Sequence, residues 1–396
     1  MPLSGRKLWL AGIGGAGMSG YAILAKAWGA EVSGWDRRET PYLAGVRMAG
    51  IPVEISDGPP EPPPDAEAFV STAFAGRVEG ATRAELLAEL VGLAESIVVA
   101  GAHGKTTTTA MIAFALDRLG RDPSFLIGGD IPQLGGNARA GSGWLVVEGD
   151  ESDKSVFALP ATVAVVTNVE LDHHTTFGSD AELAEAFEEW TSGIETVIWG
   201  RDLEPVAFGL AVPGEHNRLN AACALAALEA VDVPRAEAER ALADFGGAHR
   251  RFEAAGTVNG IRLYDDYGHH PAEIAATLAT ARSLADGGRV LVLFQPHLYS
   301  RTRHLADELA EALAGADIAC VTEIYPARED PVPGVSGKLV VDRLAEVRPG
   351  MRVGWAPELA DAAALVASQA KPGDLVLTVG AGDVDDAIAL LEERMR

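Results

Sequence analysis

Short apolar runs recur along the whole chain, and most of them are followed by a segment with apolar residues at helical spacing. Residues 97–100 read Ile-Val-Val-Ala, and residues 108–119 carry apolar side chains three and four positions apart. Apolar runs of this length without polar alternation are typical of strands covered on both faces of a parallel sheet. The repeated strand and helix patterns therefore predict an α/β protein.

The chain has 396 residues, which is too long for one hydrophobic core, so two or three domains are expected. The pattern divides at a helical segment that ends near residue 94 and again at a glycine pair near residue 246. We therefore predict domains over 1–94, 95–245 and 246–396. Within the middle domain, residues 206–212 (Val-Ala-Phe-Gly-Leu-Ala-Val) are predicted to form a short strand.

Composition and charge narrow the classes of function. The apolar fraction is 48%, the charged fraction 22% and the net charge −25. This charge repels nucleic acid and anionic membranes, so neither is expected as a partner. Neither the roughly 18 apolar residues of a membrane helix nor a signal-peptide pattern is found, which predicts a cytoplasmic protein. Cys223 and Cys320 stand in apolar stretches and are expected in the core.

The first glycine motif lies between the first predicted strand and helix. Gly12, Gly14 and Gly17 satisfy Gly-x-Gly-x-x-Gly, and Asp36 ends the next strand about 20 residues on. The physics requires only a helix N-terminus that faces a pyrophosphate. The motif alone therefore fits NAD, FAD or any other diphosphate.

The second glycine motif, Gly-Ala-His-Gly-Lys-Thr-Thr, runs from Gly101 to Thr107. Glycines let backbone N–H groups face an anion, Lys105 can neutralise terminal phosphates, and the Thr106 hydroxyl can hold Mg²⁺. The general P-loop spacing would place its first glycine at Val99, so this is a different loop. The alternative is a strand-to-helix turn that contains glycine and has no ligand.

Polar side chains follow the next two predicted strands, in residues 143–153 and 162–174. Parallel strands present their carboxyl ends at one edge of a sheet, so we expect these side chains around the same crevice as Lys105. The set is Glu148, Asp150, Glu151, Asp153, Asn168, Glu170, Asp172 and His173. Most are interpreted as solvated loop acids, whereas Glu148 and His173 are predicted to hold magnesium. His216 and Asn217, at a helix start, either contact ligand or cap the helix.

Each strand of the third segment also ends in polar side chains, which predicts a second ligand crevice. These residues are Asp265, Asp266, Tyr267, His269 and His270, then Gln295, His297, Arg301 and Arg303, then Glu323 and Tyr325, and finally Gly380 and Gly382. Pro271 suits the first position of the following helix.

Several strings together resemble, in order, the motifs of the Mur ligases. They are GIGGAGMSG (12–20), GAHGKTTTT (101–109), EGDESD (148–153), VVTNVELDH (165–173), HNRLNAA (216–222), RRFE (250–253), DDYGHHPAEI (265–274), FQPHLYSRT (294–302) and GAGDV (380–384). The resemblance implies a Rossmann-like first domain for a UDP-sugar, a central P-loop-type parallel sheet for ATP, and a Rossmann-like third domain for an amino acid. It also implies an ATP-dependent ligase that joins L-alanine to UDP-N-acetylmuramate through an acyl phosphate in peptidoglycan precursor synthesis.

The resemblance assigns roles to particular residues. Lys105, His173 and Glu148 are implied to be catalytic, and Thr106, Glu148 and His173 to hold Mg²⁺, with Mn²⁺ as an alternative. The implied ATP-binding residues are Gly101, Ala102, His103, Gly104, Lys105, Thr106, Thr107, Asn217, Arg251 and Asp266. The implied UDP-sugar residues are Gly14, Gly15, Ala16, Gly17, Met18, Ser19 and Asp36. Tyr267, His269 and Arg301 are implied to receive the amino acid.

Three alternatives remain open at this point. One is a ligase that joins UDP-muramate to a recycled peptide, or another amide-forming relative. A second is a nicotinamide dehydrogenase, which the first glycine motif alone would fit but which leaves Lys105 unexplained. A third is a catalytically weak homologue that binds nucleotide as a regulator, since the chain is shorter than is usual in the family; the presence of Lys105, Glu148 and His173 argues against it.

Overall fold

A computed structural model describes residues 1–171, 176–327 and 329–396. The chain forms two compact units. The first contains Met1–Val212 and His216–Ala248, and the second contains Pro213–Glu215 and His249–Arg396. Two sheets lie in the first unit and one in the second. Three sheets agree with the predicted α/β fold, while the domain bounds at 94 and 245 stay predictions.

The first sheet has five parallel strands in the order β3-β2-β1-β4-β5. Its strands are β1 (Lys7–Ala11), β2 (Glu31–Asp36), β3 (Val53–Ile55), β4 (Glu67–Val70) and β5 (Ala81–Thr82). The first glycine motif follows β1, and Asp36 is the last residue of β2, as the sequence predicts.

The second sheet has six strands in the order β11-β10-β6-β9-β7-β8. Its strands are β6 (Ser96–Ala100), β7 (Ser124–Leu126), β8 (Ala138–Arg139), β9 (Leu145–Glu148), β10 (Val163–Val166) and β11 (Thr196–Trp199). Only the β7–β8 pair is antiparallel within this sheet. The carboxyl ends of β6, β9 and β10 therefore meet at one edge.

Strand β6 is covered on both faces, which fixes the place of the loop that follows it. All five of its residues are buried. Val98 and Ala100 belong to one hydrophobic cluster, whereas Ile97 and Val99 belong to another on the opposite face. Full burial of one valine or isoleucine side chain contributes about 1.5–3 kcal/mol, so packing on both faces anchors this strand in addition to its pairing with β9 and β10.

The third sheet has six strands in the order β12-β13-β17-β14-β15-β16, and only β12–β13 is antiparallel. Its strands are β12 (Glu253–Val258), β13 (Ile261–Asp266), β14 (Val290–Phe294), β15 (Ile318–Val321), β16 (Arg352–Trp355) and β17 (Leu375–Val379). The polar residues named from the sequence follow β13, β14, β15 and β17, so they share one edge of this sheet.

Thirteen α-helices connect and cover these strands within the described residues. The first seven are α1 (Ala16–Ala27), α2 (Leu43–Met48), α3 (Arg83–Gly92), α4 (Lys105–Arg118), α5 (Asp180–Thr191), α6 (Glu215–Ala230) and α7 (Arg235–Ala243). The others are α8 (Pro271–Leu284), α9 (Tyr299–His304), α10 (Ala306–Leu313), α11 (Gly337–Val347), α12 (Leu359–Gln369) and α13 (Ala387–Met395). Pro271 is the first residue of α8, as predicted, and His270 caps that helix.

Two details differ from the sequence-based expectation. Helix α4 begins at Lys105 and not at residue 108, because its first turn is formed by the polar residues of the glycine motif, which carry no apolar periodicity. The strand predicted over 206–212 is wrong. That segment has no strand partner among the described residues and is tied instead to helical carbonyls, through Val206 N to Arg218 O and Ala211 N to Ala243 O.

No helix in the described part of the chain combines the length and the apolar character that crossing a membrane requires.

Candidate active site

The second glycine motif forms a tight turn between β6 and α4. Gly101 has a φ of +130° and Gly104 a φ of +79°, which L side chains rarely adopt. A Cβ on Gly101 would lie 2.3 Å from Thr167 Oγ1, and one on Gly104 would lie 2.4 Å from Asn220 Oδ1. Both glycines are therefore required by backbone conformation and by close neighbours, and the turn leads directly into the helix N-terminus.

The lysine of this turn is half-buried, and its ammonium group is fully hydrogen-bonded. Lys105 Nζ donates to the carbonyls of Gly101 and Ala102 at 2.7 and 3.0 Å, and to both carboxylate oxygens of Glu151 at 3.1 and 3.0 Å. The Glu151 side chain is 3% exposed and that of Lys105 16%. The structure therefore holds a positive charge against the loop by means of a buried carboxylate.

Electrostatics keep this lysine charged. Burial works against the ammonium, but the carboxylates of Glu151, Asp150 and Glu148 outweigh it and raise the pKa of Lys105. Burial raises the pKa of Glu151 to about 7, although Lys105 opposes that change. We conclude that Lys105 is a cation at neutral pH, because its pKa shift only strengthens an already basic group.

Two oxygen ligands suited to magnesium lie side by side next to the lysine. Thr106 Oγ1 donates to Glu148 Oε1 at 2.9 Å, and Gly128 N donates to Glu148 Oε2 at 2.7 Å. Thr106 is in the first turn of α4, and Glu148 is the last residue of β9. His173, the third predicted metal ligand, lies outside the described residues.

This donor set fits a magnesium ion. Mg²⁺ prefers oxygen ligands and is usually held by one or two protein groups together with substrate phosphates and water. A hydroxyl and a carboxylate already in contact, at the N-terminus of a helix, provide such groups. The described residues contain no larger His, Cys, Asp and Glu cluster that could hold a metal without those other ligands.

The end of β10 supports the loop from the other side. Thr167 Oγ1 donates to His103 O at 2.7 Å, and Asn168 Oδ1 accepts from His103 N at 3.1 Å. The His103 ring contacts Glu170, with Nε2 3.3 Å from a carboxylate oxygen. Asn168 and Glu170 therefore surround the loop as the sequence predicts, and they act on its backbone and on His103.

The predicted ATP residues Thr107 and Asn217 both lie in the first unit. Thr107 is buried in the first turn of α4. Asn217 Oδ1 accepts from Asn220 Nδ2 at 3.3 Å, and Asn220 is the residue that lies against Gly104. The structure thus joins Asn217 to the loop through one side chain. Arg251 and Asp266, also predicted for ATP, belong to the second unit.

The first glycine motif is stabilised by the acid at the end of β2. Asp36 Oδ2 accepts from Gly14 N at 2.8 Å, and Asp36 Oδ1 accepts from Arg37 N at 2.7 Å. Within the predicted UDP-sugar set, Met18 and Ser19 are buried in α1, whereas Gly15, Ala16 and Gly17 are at least partly exposed. Accessibility therefore favours UDP-sugar contacts at Gly15 and at the first two residues of α1, Ala16 and Gly17, and the assignment stays a prediction.

The predicted amino-acid residues of the second unit lie along a row of rings. The centroids of Tyr267 and His269 are 5.7 Å apart, those of His269 and His297 5.7 Å, and those of His297 and Tyr325 5.9 Å. Arg301 Nη1 lies 3.1 Å from His297 Nδ1. The structure therefore brings Tyr267, His269 and Arg301 together through His297.

The Arg-Arg-Phe segment before β12 is held in an unusual conformation. Arg250 and Phe252 have φ values of +56° and +49°, each of which costs on the order of 1 kcal/mol or more. Arg250 compensates by donating to Asp265, to Gly380 O and to Gly382 O, each at 2.8 Å. The guanidinium groups of Arg250 and Arg251 each lie 5.2 Å from the Tyr267 ring centroid.

The pKa values of two carboxyl groups near this segment are shifted in opposite directions. Burial raises the pKa of Asp266 to about 6, with Arg251 opposing it. Burial works the same way on Glu273, but His269 and Arg251 outweigh it and hold the pKa of Glu273 well below its usual range. Arg251 Nη1 lies 3.6 Å from Glu273 Oε1. Opposite shifts in neighbouring acids are characteristic of functional sites.

Sequence reasoning missed two members of the first-unit site. Glu151 was grouped with solvated loop acids, yet it is the buried partner of Lys105. Arg83 was not singled out, although it pairs with Asp150 and Asp153. The capping box of Thr82 and Glu85 locates the start of α3 in the sequence, but it does not indicate that Arg83 pairs with Asp150 and Asp153.

The fold and the turn together define the class of protein. A central parallel strand that leads through a glycine turn into a helix beginning Lys-Thr is a nucleotide-phosphate site. Family models agree with this class. The Mur ligase middle domain matches residues 99–204, and the Mur ligase, glutamate ligase domain matches residues 250–382.

Curated relatives extend the match to nearly the whole chain. The UDP-N-acetylmuramate–L-alanine ligase of Kineococcus radiotolerans is 41% identical over 98% of this chain and 97% of its own length. The same ligase of Renibacterium salmoninarum is 39% identical over 96% of this chain and 94% of its own length. The crystal structure of the UDP-N-acetylmuramate–alanine ligase MurC from Thermotoga maritima gives a TM-score of 0.80 at 27% identity, covering 98% of both chains.

The chain belongs to the Mur ligase family. This family consists of ATP-dependent ligases, so the dehydrogenase alternative is wrong. The alignment with the Renibacterium salmoninarum relative runs over 442 positions, more than the 396 residues of this chain, so that relative carries residues that this chain lacks.

We expect Arg251→Met to raise the pKa of both Asp266 and Glu273, since the guanidinium lowers both. Carbon-13 NMR of the carboxyl groups measures both pKa values, with Asp266 titrating near pH 6 in the unaltered chain.

The pKa of Asp266 is higher in the folded than in the unfolded chain, so the neutral form of Asp266 stabilises the fold. That contribution is complete below the unfolded pKa of about 4 and is lost as the pH rises through about 6.

Arg262→Met is the matched control, because Arg262 Nη1 donates to the Leu284 carbonyl instead. It should leave both titrations in place. Unchanged titrations in Arg251→Met would contradict the assigned cause.

Proposed function

We propose that this chain joins L-alanine to UDP-N-acetylmuramate and converts ATP to ADP and phosphate. The observation that carries the proposal is the cluster of Lys105, Thr106 and Glu148 at one turn, in a chain that aligns along nearly its whole length with ligases of that name. Consumption of ATP is consistent with the cytoplasmic location predicted from the sequence, and that location stays a prediction.

The proposed reaction has two balanced steps. The carboxylate of the muramate attacks the γ-phosphorus of ATP, the bond to the bridging oxygen breaks, and ADP leaves. The amine of L-alanine then attacks the acyl phosphate carbon, an amide forms, inorganic phosphate leaves, and the amine loses a proton. Phosphoryl transfer of this kind depends on positioning and charge neutralisation more than on covalent groups of the protein.

Lys105 supplies the neutralising charge. Its ammonium is held at the helix N-terminus by two carbonyls and by Glu151. A half-buried cation of this kind opposes the charge that develops on a transferring phosphoryl group, and it needs little reorganisation because its partners already fix it. Glu151 is then a positioning residue that orients the lysine without touching substrate.

Thr106 and Glu148, with the predicted His173, are the residues we propose to hold Mg²⁺. When bound, the ion would neutralise phosphate charge and orient the terminal phosphates. Without a cation, the carboxylates next to the turn would repel a polyphosphate. Mn²⁺ prefers similar oxygen ligands and is the alternative.

The ring row of the second unit is proposed to receive the amino acid. Arg301 is 8% exposed and lies beside His297, so it presents a fixed cation to which a carboxylate can bind. Tyr267 and His269 form the adjoining surface. A site built from rings and one guanidinium fits a small amino acid with a free carboxylate.

We expect phosphate release when the purified chain is given UDP-N-acetylmuramate, ATP, Mg²⁺ and L-alanine. Parallel assays replace L-alanine with glycine, with L-serine or with a peptide that begins with L-alanine. Highest release with L-alanine supports the proposal. Release only with the peptide would favour the recycling ligase, and no release with any of the four would refute both.

We expect Lys105→Ala to lower kcat by at least about 100-fold, because the loss of one preorganised charge at the reacting group has this effect. Lys338→Ala is the control, since Lys338 pairs with Asp342 at an exposed site on α11. Steady-state phosphate release measures both. A Lys105→Ala variant with nearly normal kcat would remove the lysine from the reaction.

A further inference from the structure

Arg83, the first residue of α3, contacts side chains from three other segments of the first unit. Its Nε donates to Thr72 Oγ1 at 3.2 Å and to Asp153 Oδ2 at 3.1 Å. Nη1 donates to Tyr21 OH at 3.4 Å, and Nη2 donates to Asp150 Oδ2 at 3.4 Å. The predicted function gives this half-buried guanidinium no task.

The two aspartates bound by Arg83 stand on either side of Glu151. Each uses one oxygen to shape its own turn: Asp150 Oδ1 accepts from Ser152 N at 2.9 Å, and Asp153 Oδ1 accepts from Ser155 N at 3.0 Å. The other oxygen of each aspartate accepts from Arg83. Arg83 therefore fixes residues 150–153 from both ends, with the buried partner of Lys105 between them.

The positive charge of Arg83 also partly neutralises the carboxylates next to the turn. Arg83 pairs with the carboxylates of Asp150 and Asp153, and Lys105 pairs with the carboxylate of Glu151 between them. Without Arg83, Asp150 and Asp153 would lose this cationic partner, and the negative charge near Lys105 would be less compensated. Asp150 already acts on Lys105, because it helps to raise the pKa of that lysine. An incoming polyphosphate would then meet a more negative turn.

We propose that Arg83 is a positioning residue for the phosphate turn. It holds residues 150–153 so that Glu151 keeps Lys105 aligned, and it neutralises Asp150 and Asp153 so that a nucleoside polyphosphate can approach. This inference rests on the proposed use of Lys105 for ATP. It assigns no contact between Arg83 and any substrate.

The same guanidinium also borders the first glycine motif. A Cβ on Gly17 would lie 3.5 Å from Arg83 Nη1 and 3.3 Å from Tyr21 OH. Gly17 thus lies in van der Waals range of the Arg83 guanidinium. Because Arg83 has contacts on both sides, its effect must be measured on nucleotide binding directly and not on turnover alone.

The test is the affinity of the full chain for ADP with Mg²⁺, measured by calorimetry without sugar or amino acid. We expect Arg83→Met to weaken binding by about 10-fold or more, a factor that corresponds to about 1.4 kcal/mol. Arg83→Lys keeps the charge but loses the planar fork, so it should fall between the unaltered chain and Arg83→Met.

A double-mutant cycle separates positioning from general stability. If Arg83 acts through Glu151, then Arg83→Lys should have little further effect, within about twofold, in a Glu151→Gln chain. Arg6→Met is the matched control, because Arg6 also pairs with α3, through Glu89, but lies at the amino-terminal end of β1. It should leave ADP affinity unchanged.

Unaltered ADP affinity in Arg83→Met and Arg83→Lys would overturn the inference. Independent, multiplied losses in the cycle would also overturn it. If Arg83→Met does not fold, the inference is tested by the ADP affinity of Arg83→Lys and by its double-mutant cycle with Glu151→Gln. Because ADP binding needs neither alanine nor the sugar, a failed amino-acid assay refutes the proposed function and leaves this inference standing.

Discussion

The ion pair between Lys105 and Glu151 is the interaction on which the site in the first unit depends. An ammonium that is largely shielded from water needs a partner, because without one its charged form is destabilised. Glu151 and two loop carbonyls supply that partner at 2.7–3.1 Å. The ammonium group of Lys105 is therefore held at the start of α4, where the helix N-terminus also favours binding of an anion.

The rest of the first unit is arranged to hold that pair in place. Strand β6 is packed on both faces, and this packing fixes the position of the turn that follows it. Thr167 and Asn168 bind the turn from β10, and Glu148 at the end of β9 binds Thr106. Parallel strands bring these side chains to one edge. The strand order of the sheet thus determines which side chains meet at the site.

Much of this could be predicted from the sequence, and the failures have physical reasons. Glycine and lysine spacing located the turn, and polar residues after apolar runs located the sheet edges. The partner of Lys105 was not predictable, because burial of Glu151 depends on long-range packing. The segment 206–212 is apolar enough for a strand, but nothing in the sequence shows that its backbone bonds to helices instead. Helix α4 was placed too late because apolar periodicity cannot detect a polar first turn.

The most direct measurement is a crystal structure of the chain with a non-hydrolysable ATP analogue and Mg²⁺. We predict that the terminal phosphates lie within hydrogen-bond distance of Lys105 Nζ and that the metal is bonded to Thr106 Oγ1 and the Glu148 carboxylate. A triphosphate bound at the first glycine motif, with Lys105 still paired only to Glu151 and the loop carbonyls, would contradict the account.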